Sequence, residues 1–325
     1  MRTQALSKTL IAVADSPFVN LQPTEKVLAA LDADIQIAKQ PTPEAILDVA
    51  READGLMVTF ANLSREVIEG LERCKVIGRY GIGVDNIDLE AATEAGIQVC
   101  YVPDYCQDEV SDHAMTLLVS LARKITYSNS LVQQGRWDAK AVAPMFRLRG
   151  RTLGLVGLGQ IPQSVVPKAQ AFGLNVIASD PFVPPEVAKN LDVELVEFDA
   201  LLERSDYISV HAPLTEKTHH LFSKDAFKKM KSEALIINTA RGPLIDDQAL
   251  ADALDDGQIG GAALDVLPIE PPVDSPLLNR DNVIITPHTA FYSVEALVDL
   301  QTKAAEDVVA VLSGQTPRYP VNKLG

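Results

Sequence analysis

The sequence has few cysteines, no cluster of basic residues and no apolar run long enough to cross a membrane. Its three cysteines, Cys74, Cys100 and Cys106, are odd in number and show neither CxxC nor Cys/His spacing. That argues against a disulfide framework and offers no ligand pattern for zinc or another metal. Reduced thiols in a cytoplasmic protein are the expectation. Lys and Arg number 29 against 44 Asp and Glu, a formal net charge of -15. An acidic chain without a basic stripe is unsuited to nucleic acid or to an anionic membrane surface. The first apolar stretch, residues 9–14, is too short for a signal sequence or a membrane span and reads as a strand. Low-complexity segments and short-period repeats are also missing. An anionic substrate entering this negative field must be captured by local positive charge, so each arginine near a candidate site gains weight.

What is present is α/β alternation, over a length of 325 residues that suggests two domains. Apolar runs at 10–14, 35–38, 55–58, 75–78 and 97–99 predict strands, and 24–31, 43–52 and 64–71 predict helices. Pro103 interrupts the series. Val110, Ala114, Leu117, Leu118 and Leu121 then fall on one helical stripe. They predict a helix over 108–124, apolar enough to be buried between domains or subunits. Segment 129–149, with Trp137, predicts irregular structure and short helices. A second series follows, with strands at 152–156, 176–179, 193–196, 207–211, 234–238, 261–265 and 283–286. A last helix over 293–312 is long enough to return to the first domain. The fold expected is two doubly wound parallel-sheet α/β domains, Rossmann-like and flavodoxin-like, with a cleft between them. The first is assigned 1–103 plus 291–325 and the second 104–290.

Five strand ends carry chemistry. Gly157-Leu158-Gly159-Gln160-Ile161 turns a strand into a helix, where glycine lets backbone approach phosphate oxygens. Asp180 ends the next strand, where an acid suits the ribose hydroxyls of NAD and repels the extra phosphate of NADP. Pro162 replaces the third glycine of the fingerprint and Pro167 follows. The pair predicts a helix that is kinked or starts late and stands farther from the sheet. Asn238-Thr239-Ala240-Arg241-Gly242, Ile269-Glu270-Pro271-Pro272 and Thr286-Pro287-His288-Thr289-Ala290 place an arginine, a glutamate and a histidine at the carboxyl ends of further strands. Arginine can grip a carboxylate through two hydrogen bonds, and histidine can move a proton near neutral pH. A nucleotide turn, an anion clamp and a proton shuttle describe hydride transfer on a small acid. His113, His219 and His220 lack a matching partner in the pattern and read as structural.

Lys75-Val76-Ile77-Gly78-Arg79-Tyr80-Gly81-Ile82-Gly83-Val84-Asp85-Asn86-Ile87-Asp88, the glycine turn, Asn238 to Gly242, Gly261-Ala262-Ala263-Leu264-Asp265-Val266 and Thr286-Pro287-His288 occur in a recognisable order. With them the chain resembles the D-isomer-specific 2-hydroxyacid dehydrogenase family over nearly its whole length. Val102-Pro103-Asp104-Tyr105-Cys106 and Ala290-Phe291-Tyr292-Ser293 resemble the branch near phosphoglycerate dehydrogenases and the C-terminal-binding-protein corepressors. The resemblance implies that Arg241 binds the substrate carboxylate, that His288 is the acid/base on the C2 oxygen and that Glu270 hydrogen-bonds its imidazole. It implies that amides near Ile82 and Gly83 receive the other carboxylate oxygen. Arg79, next to that loop, could meet a second anionic group or equally pair with an acid on the domain surface. For NAD it implies Gln160 and Ile161 at the pyrophosphate and His211 and Pro213 on the adenosine side. Thr239, Ala240 and Asp265 would then flank the nicotinamide. It further implies a homodimer through the helix after Pro103. The activity expected is NAD-dependent interconversion of a small anionic D-2-hydroxy acid and its 2-keto acid, of the 3-phosphoglycerate, glyoxylate or hydroxypyruvate class. The alternative is an NAD(H)-sensing binding protein similar to the corepressors. No regulatory domain is expected after Gly325. Substrate identity should depend on residues 57–63, on Arg79 and on side chains across the cleft from Phe291 and Tyr292.

Overall fold

Alternating strands and helices build two parallel sheets in a computed structural model that describes residues 8–324. Packing in space divides the chain into one unit of Met1–Tyr105 with Ser293–Gly325 and another of Cys106–Tyr292.

The sheet of the first unit contains β1 (Leu10–Val13), β2 (Asp34–Ile37), β3 (Gly55–Val58), β4 (Val76–Arg79) and β5 (Gln98–Cys100). Its order is β2-β1-β3-β4-β5, all parallel, with Ile11 opposite both Ile35 and Gly55. Every residue of β3 and β4 is buried, as apolar runs in a sheet covered on both faces require. Helices α1 (Gln22–Leu28), α2 (Pro43–Ala50), α3 (Arg65–Glu69) and α4 (Leu89–Glu94) connect the strands. Local chemistry sets their starts. Thr42 caps α2 through the Ala45 N–H with Pro43 in the first turn, and Asp88 caps α4 through the Ala91 N–H at 2.8 Å. The last helix, α12 (Val294–Leu312), is capped by Ser293, whose hydroxyl accepts the Ala296 N–H at 2.9 Å. It packs against α1 and β4 within this unit. There the Tyr80 hydroxyl meets Thr24 Oγ1 at 2.9 Å, and Thr24 Oγ1 donates to Gln301 Oε1 at 3.4 Å.

The sheet of the second unit contains β6 (Thr152–Val156), β7 (Asn175–Ser179), β8 (Glu194–Leu195), β9 (Tyr207–Val210), β10 (Leu235–Asn238), β11 (Gly261–Leu264) and β12 (Val283–Ile285). The order is β12-β11-β10-β9-β6-β7-β8, again parallel. Helices lie on both faces. Along β10, Ile236 enters the core shared with α9 (Phe198–Arg204), α10 (Lys224–Lys229) and α11 (Asp247–Asp255). Its neighbour Ile237 enters the core shared with α5 (Gln107–Ala122) and α7 (Gln160–Ala171). That alternation is the period-2 geometry of a strand between two helical layers.

Two expectations are corrected. The helix predicted over 108–124 ends at Ala122, and Lys124 adopts a left-handed φ of 51° before α6 (Ile125–Gln133) starts. Helix α7 does not start late. It begins at Gln160, directly after its N-cap Gly159, and buries Pro162, while Val165, Val166 and Ala169 share a core with Leu153 and Leu155 of β6. Pro162 sits in the first turn, where an N–H would have no intrahelical acceptor, so its missing donor is harmless there.

Candidate active site

The chain runs outward from β6 to β7 and β8, then returns to β9 beside β6. That reversal opens a crevice at the carboxyl ends of β6 and β9, the usual ligand position in an open α/β sheet. Gly157 follows β6 with φ of 93°, a conformation that disfavours any side chain. A Cβ there would also lie 3.1 Å from the His211 carbonyl oxygen, so the turn passes close over the end of β9. At Gly159 a Cβ would meet nothing within 4 Å, which leaves open space at the start of α7. The Gln160 side chain is engaged by Gln107, whose amide donates to Gln160 Oε1 at 2.9 Å. What the turn offers a ligand at Gln160 and Ile161 is therefore first-turn backbone N–H groups with no intrahelical acceptor.

Asp180 follows β7 and ties the turn to the next loop. It accepts from the Leu158 N–H at 2.8 Å and from the Phe182 and Val183 N–H groups at 2.8 and 3.1 Å. His211 Nε2 lies 2.8 Å from the Ser209 hydroxyl, and burial pushes its imidazole down to about 4, so it is neutral near pH 7. Thr218 Oγ1 donates to the Pro213 carbonyl at 2.6 Å and fixes that loop. On the next strand end, Asn238 staples the 239–241 turn. Its Oδ1 accepts from the Ala240 N–H at 3.0 Å, and its Nδ2 donates to the Arg241 carbonyl at 2.8 Å. The Thr239 hydroxyl oxygen is buried and has no protein partner. An open glycine turn, a carboxylate after the second strand and a buried hydroxyl awaiting a partner suit a dinucleotide with two ribose hydroxyls and a polar ring substituent.

Arg241, Glu270 and His288 are brought together within this unit. Gly242 makes the approach possible, since a side chain there would overlap the Leu267 carbonyl and Pro268. The chain can thus cross the segment that carries Glu270. Glu270 Oε1 accepts from the Leu267 N–H at 2.9 Å, and Oε2 accepts from His288 Nδ1 at 2.7 Å. Burial pulls the Glu270 pKa up. The His288 hydrogen bond and charge, the Leu267 N–H and the Arg241 charge outweigh that and hold the carboxyl below its ordinary value. Glu270 is therefore ionised near neutral pH, and Nδ1 of His288 is committed to it. The imidazole also packs edge-on to Phe291, with ring centroids 6.2 Å apart.

His288 adopts φ of 51°, and its loop is held by Asp265 after β11. The Asp265 carbonyl accepts the His288 N–H at 2.8 Å. Its carboxylate, almost fully buried, accepts the Thr289 and Ala290 N–H groups at 2.9 and 2.8 Å and the Thr286 hydroxyl at 2.5 Å. His113, for which the sequence pattern offers no partner, finds one in space. Its Nε2 lies 3.0 Å from Thr286 Oγ1 and 3.5 Å from Asp265 Oδ1. Asn238, Thr286 and His113 carry interactions that the motifs contain but do not advertise, because each acts through spatial rather than sequential neighbours. His219 and His220 stack on each other at 3.9 Å, and His220 lies 3.8 Å from Asp246, apart from the Glu270 pair.

The remaining candidates belong to the other unit. Arg79 ends β4, is buried, and donates from Nη1 to the Tyr80 carbonyl at 2.6 Å. Its guanidinium fills the space beside Gly81 where a side chain would lie, and Ile82 and Gly83 follow, half-buried. Of residues 57–63, Met57, Val58, Ala61 and Leu63 are core and Thr59 is buried, which leaves Phe60 and Asn62 exposed.

Residues 115–290 match the family model described as D-isomer specific 2-hydroxyacid dehydrogenase, NAD binding domain. The chain is 44% identical over 301 residues to the D-3-phosphoglycerate dehydrogenase of Methanocaldococcus jannaschii, covering 90% of this chain and 57% of that one. It is 36% identical over 292 residues to the glyoxylate reductase of Thermococcus litoralis, covering 88% of each. The chain thus spans little more than half the length of the phosphoglycerate dehydrogenases it matches. Among solved structures, the D-lactate dehydrogenase of Aquifex aeolicus complexed with NAD and lactic acid superposes with a TM-score of 0.86 at 27% identity, over 94% of this chain and 96% of that one.

Proposed function

The chain belongs to the D-isomer-specific 2-hydroxyacid dehydrogenase family, and from that premise we propose that it interconverts a small anionic D-2-hydroxy acid and its 2-keto acid with NAD. The observation that carries the reading is the 2.7 Å hydrogen bond between His288 and an ionised Glu270 that also feels the Arg241 charge. These groups lie at the carboxyl ends of the strands of the unit that holds the glycine turn. NAD, when bound, supplies or accepts the hydride at substrate C2. The 157–161 turn would hold its pyrophosphate, Asp180 its adenosine ribose, His211 and Pro213 its adenosine side, and Thr239, Ala240 and Asp265 its nicotinamide end.

Each residue has a definite task. Arg241 pairs with the substrate carboxylate and stabilises negative charge growing on the C2 oxygen. His288 delivers a proton to that oxygen in reduction and takes it back in oxidation, through Nε2, because Nδ1 is committed to Glu270. Glu270 fixes the ring through Nδ1. In the other unit, amides around Ile82 and Gly83 would bind the second carboxylate oxygen. Arg79 would meet a further anionic group, which favours a phosphorylated acid over glyoxylate. The first unit would serve the substrate and the second the cofactor.

The family's pairing mode suggests a homodimer through α5 and its neighbours. That segment exposes Ile125 and Trp137, the latter 91% accessible. The three cysteines are buried thiols, as suits a cytoplasmic protein. Among the described residues, no helix is long and apolar enough to cross a membrane.

The test is NADH oxidation with a panel of 2-keto acids, including 3-phosphohydroxypyruvate, hydroxypyruvate and glyoxylate, for the wild type and His288→Ala. Wild-type turnover that falls by roughly a hundredfold or more in the variant, with NADH binding retained, is expected. Wild-type NADH binding without turnover on any acid would favour the binding-protein alternative, and near wild-type turnover in the variant would remove His288 from the chemistry.

A further inference from the structure

We infer that His113 is a positioning residue for His288, acting through Thr286 and Asp265. The inference rests on the acid/base role proposed for His288.

The geometry defines a directed chain of hydrogen bonds. The Thr286 hydroxyl has one proton, and Oγ1 donates it to Asp265 Oδ1 at 2.5 Å. Its contact with His113 Nε2 at 3.0 Å must then be one in which the imidazole donates and the hydroxyl accepts. His113 therefore carries its proton on Nε2 in this arrangement, and the same edge faces Asp265 Oδ1 at 3.5 Å. His113 lies on α5 and Thr286 directly after β12, two residues before His288. The network thus joins the long buried helix of the unit to the loop that presents the candidate acid/base.

Asp265 is the hub. The N–H groups of His288, Thr289 and Ala290 all end on this residue, the first on its carbonyl and the others on its carboxylate. A carboxylate side chain only 1% accessible needs such partners, and losing one lets it shift. A displaced Asp265 would grip the 289–290 amides less well. His288 stands in the left-handed region, a conformation a non-glycine residue keeps only when its surroundings enforce it. Deleting the His113 donor should therefore loosen the placement of the His288 ring against Glu270 without touching the ring itself. Small misplacements of a reacting group reduce turnover steeply.

The experiment compares His113→Ala with His113→Gln, which restores an amide donor, and Thr286→Val with Thr286→Ser, which restores the hydroxyl. The readouts are kcat, KM for the best 2-keto acid, NADH binding by titration, and the NMR signal of the His288 Nδ1 proton hydrogen-bonded to Glu270. We expect His113→Ala and Thr286→Val each to lower kcat roughly ten- to a hundredfold. KM and NADH affinity should stay within about threefold, the Nδ1 proton signal should broaden or shift, and Gln and Ser should recover most of the loss. The His113→Ala/Thr286→Val double variant should be no worse than either single one, because both remove the same link. Wild-type kcat and an unchanged Nδ1 signal in folded His113→Ala would overturn the inference. So would equal impairment in His113→Ala and His113→Gln. If His113→Ala does not fold, the Thr286 pair decides by the same criteria. Should the wild type turn over no acid, the proposed reaction fails on its own, and the NMR comparison still decides whether His113 positions His288.

Discussion

Both sheets have a strand-order reversal, and the two reversals are filled differently. In the first unit the reversal lies between β1 and β3, and the carboxylate of Asp15 occupies it. Asp15 Oδ1 accepts the Thr59 N–H at 2.8 Å and Oδ2 accepts the Phe60 N–H at 2.7 Å. In the second unit the reversal lies between β6 and β9, and two glycines flank it. One unit satisfies its strand-end amides with its own negative charge, whereas the other leaves its first-turn amides to a ligand. The lesson is that a shared topology provides a crevice and the side chain at its lip decides whether the crevice is a site. A built-in carboxylate makes the first unit hostile to phosphate at the position where the second invites it.

The largest effect should come from filling the open crevice. Gly157→Ala places a side chain at φ of 93° and against the His211 carbonyl. It should cost about 1–3 kcal/mol of stability and weaken NADH binding at least tenfold. Gly159→Ala, with open space at its Cβ, should weaken NADH binding while leaving the melting temperature nearly unchanged. Equal thermal losses in both variants, measured by scanning calorimetry, would break the distinction between a turn that needs glycine for its backbone and one that needs it for a ligand.

Emptying the closed crevice should do less, and to a different property. Asp15→Ala leaves the Thr59 and Phe60 N–H groups without their acceptor, an expected loss of about 1–3 kcal/mol. NADH binding should stay within about twofold, because the affected loop belongs to the first unit. A tenfold loss of NADH affinity would mean that the two crevices are not independent.

This contrast also marks how far the sequence could be read. Strands were legible almost residue by residue, since β3 and β10 are apolar runs with few alternatives. Arg241, Glu270 and His288 could be picked out as candidates because each follows an apolar run, and within this unit the structure joins Glu270 and His288 at 2.7 Å. Asp15 was not, because a single acid after a first strand gives no sign that two amides 44 and 45 residues away will meet it. The same holds for His113 and Thr286, which are 173 residues apart. The break at Lys124 was hidden because a lysine gives no warning of a left-handed φ. The Pro162 and Pro167 pair misled in the opposite direction: α7 starts at Gln160 all the same, with Pro162 in the first turn, where its missing donor does no harm.

The smallest effect sharpens the comparison by setting a satisfied carboxylate against an unsatisfied one. Asp247, at the start of α11, has a buried Oδ1 with no hydrogen-bond partner. Burial first, then the charge of Asp246, push its pKa from 3.8 up to about 6, with His220 acting in the other direction. A carboxyl whose folded pKa is raised holds its proton more tightly in the native state than in the unfolded chain. Its favourable contribution is complete below pH 4 and is lost as pH rises through about 6. Asp247→Asn has no such slope. The variant should match the wild type near pH 4 and exceed it above pH 6.5 by about 1 kcal/mol, after allowance for partial exposure and for a weakened helix-end charge interaction. Asp15→Asn should be destabilised at neutral pH instead, since an amide oxygen cannot replace two acceptors aimed at two amides. Melting temperatures of both variants from pH 4 to pH 8 test this. A stability difference for Asp247→Asn that stays flat across that range would show that its partnerless oxygen carries no electrostatic cost.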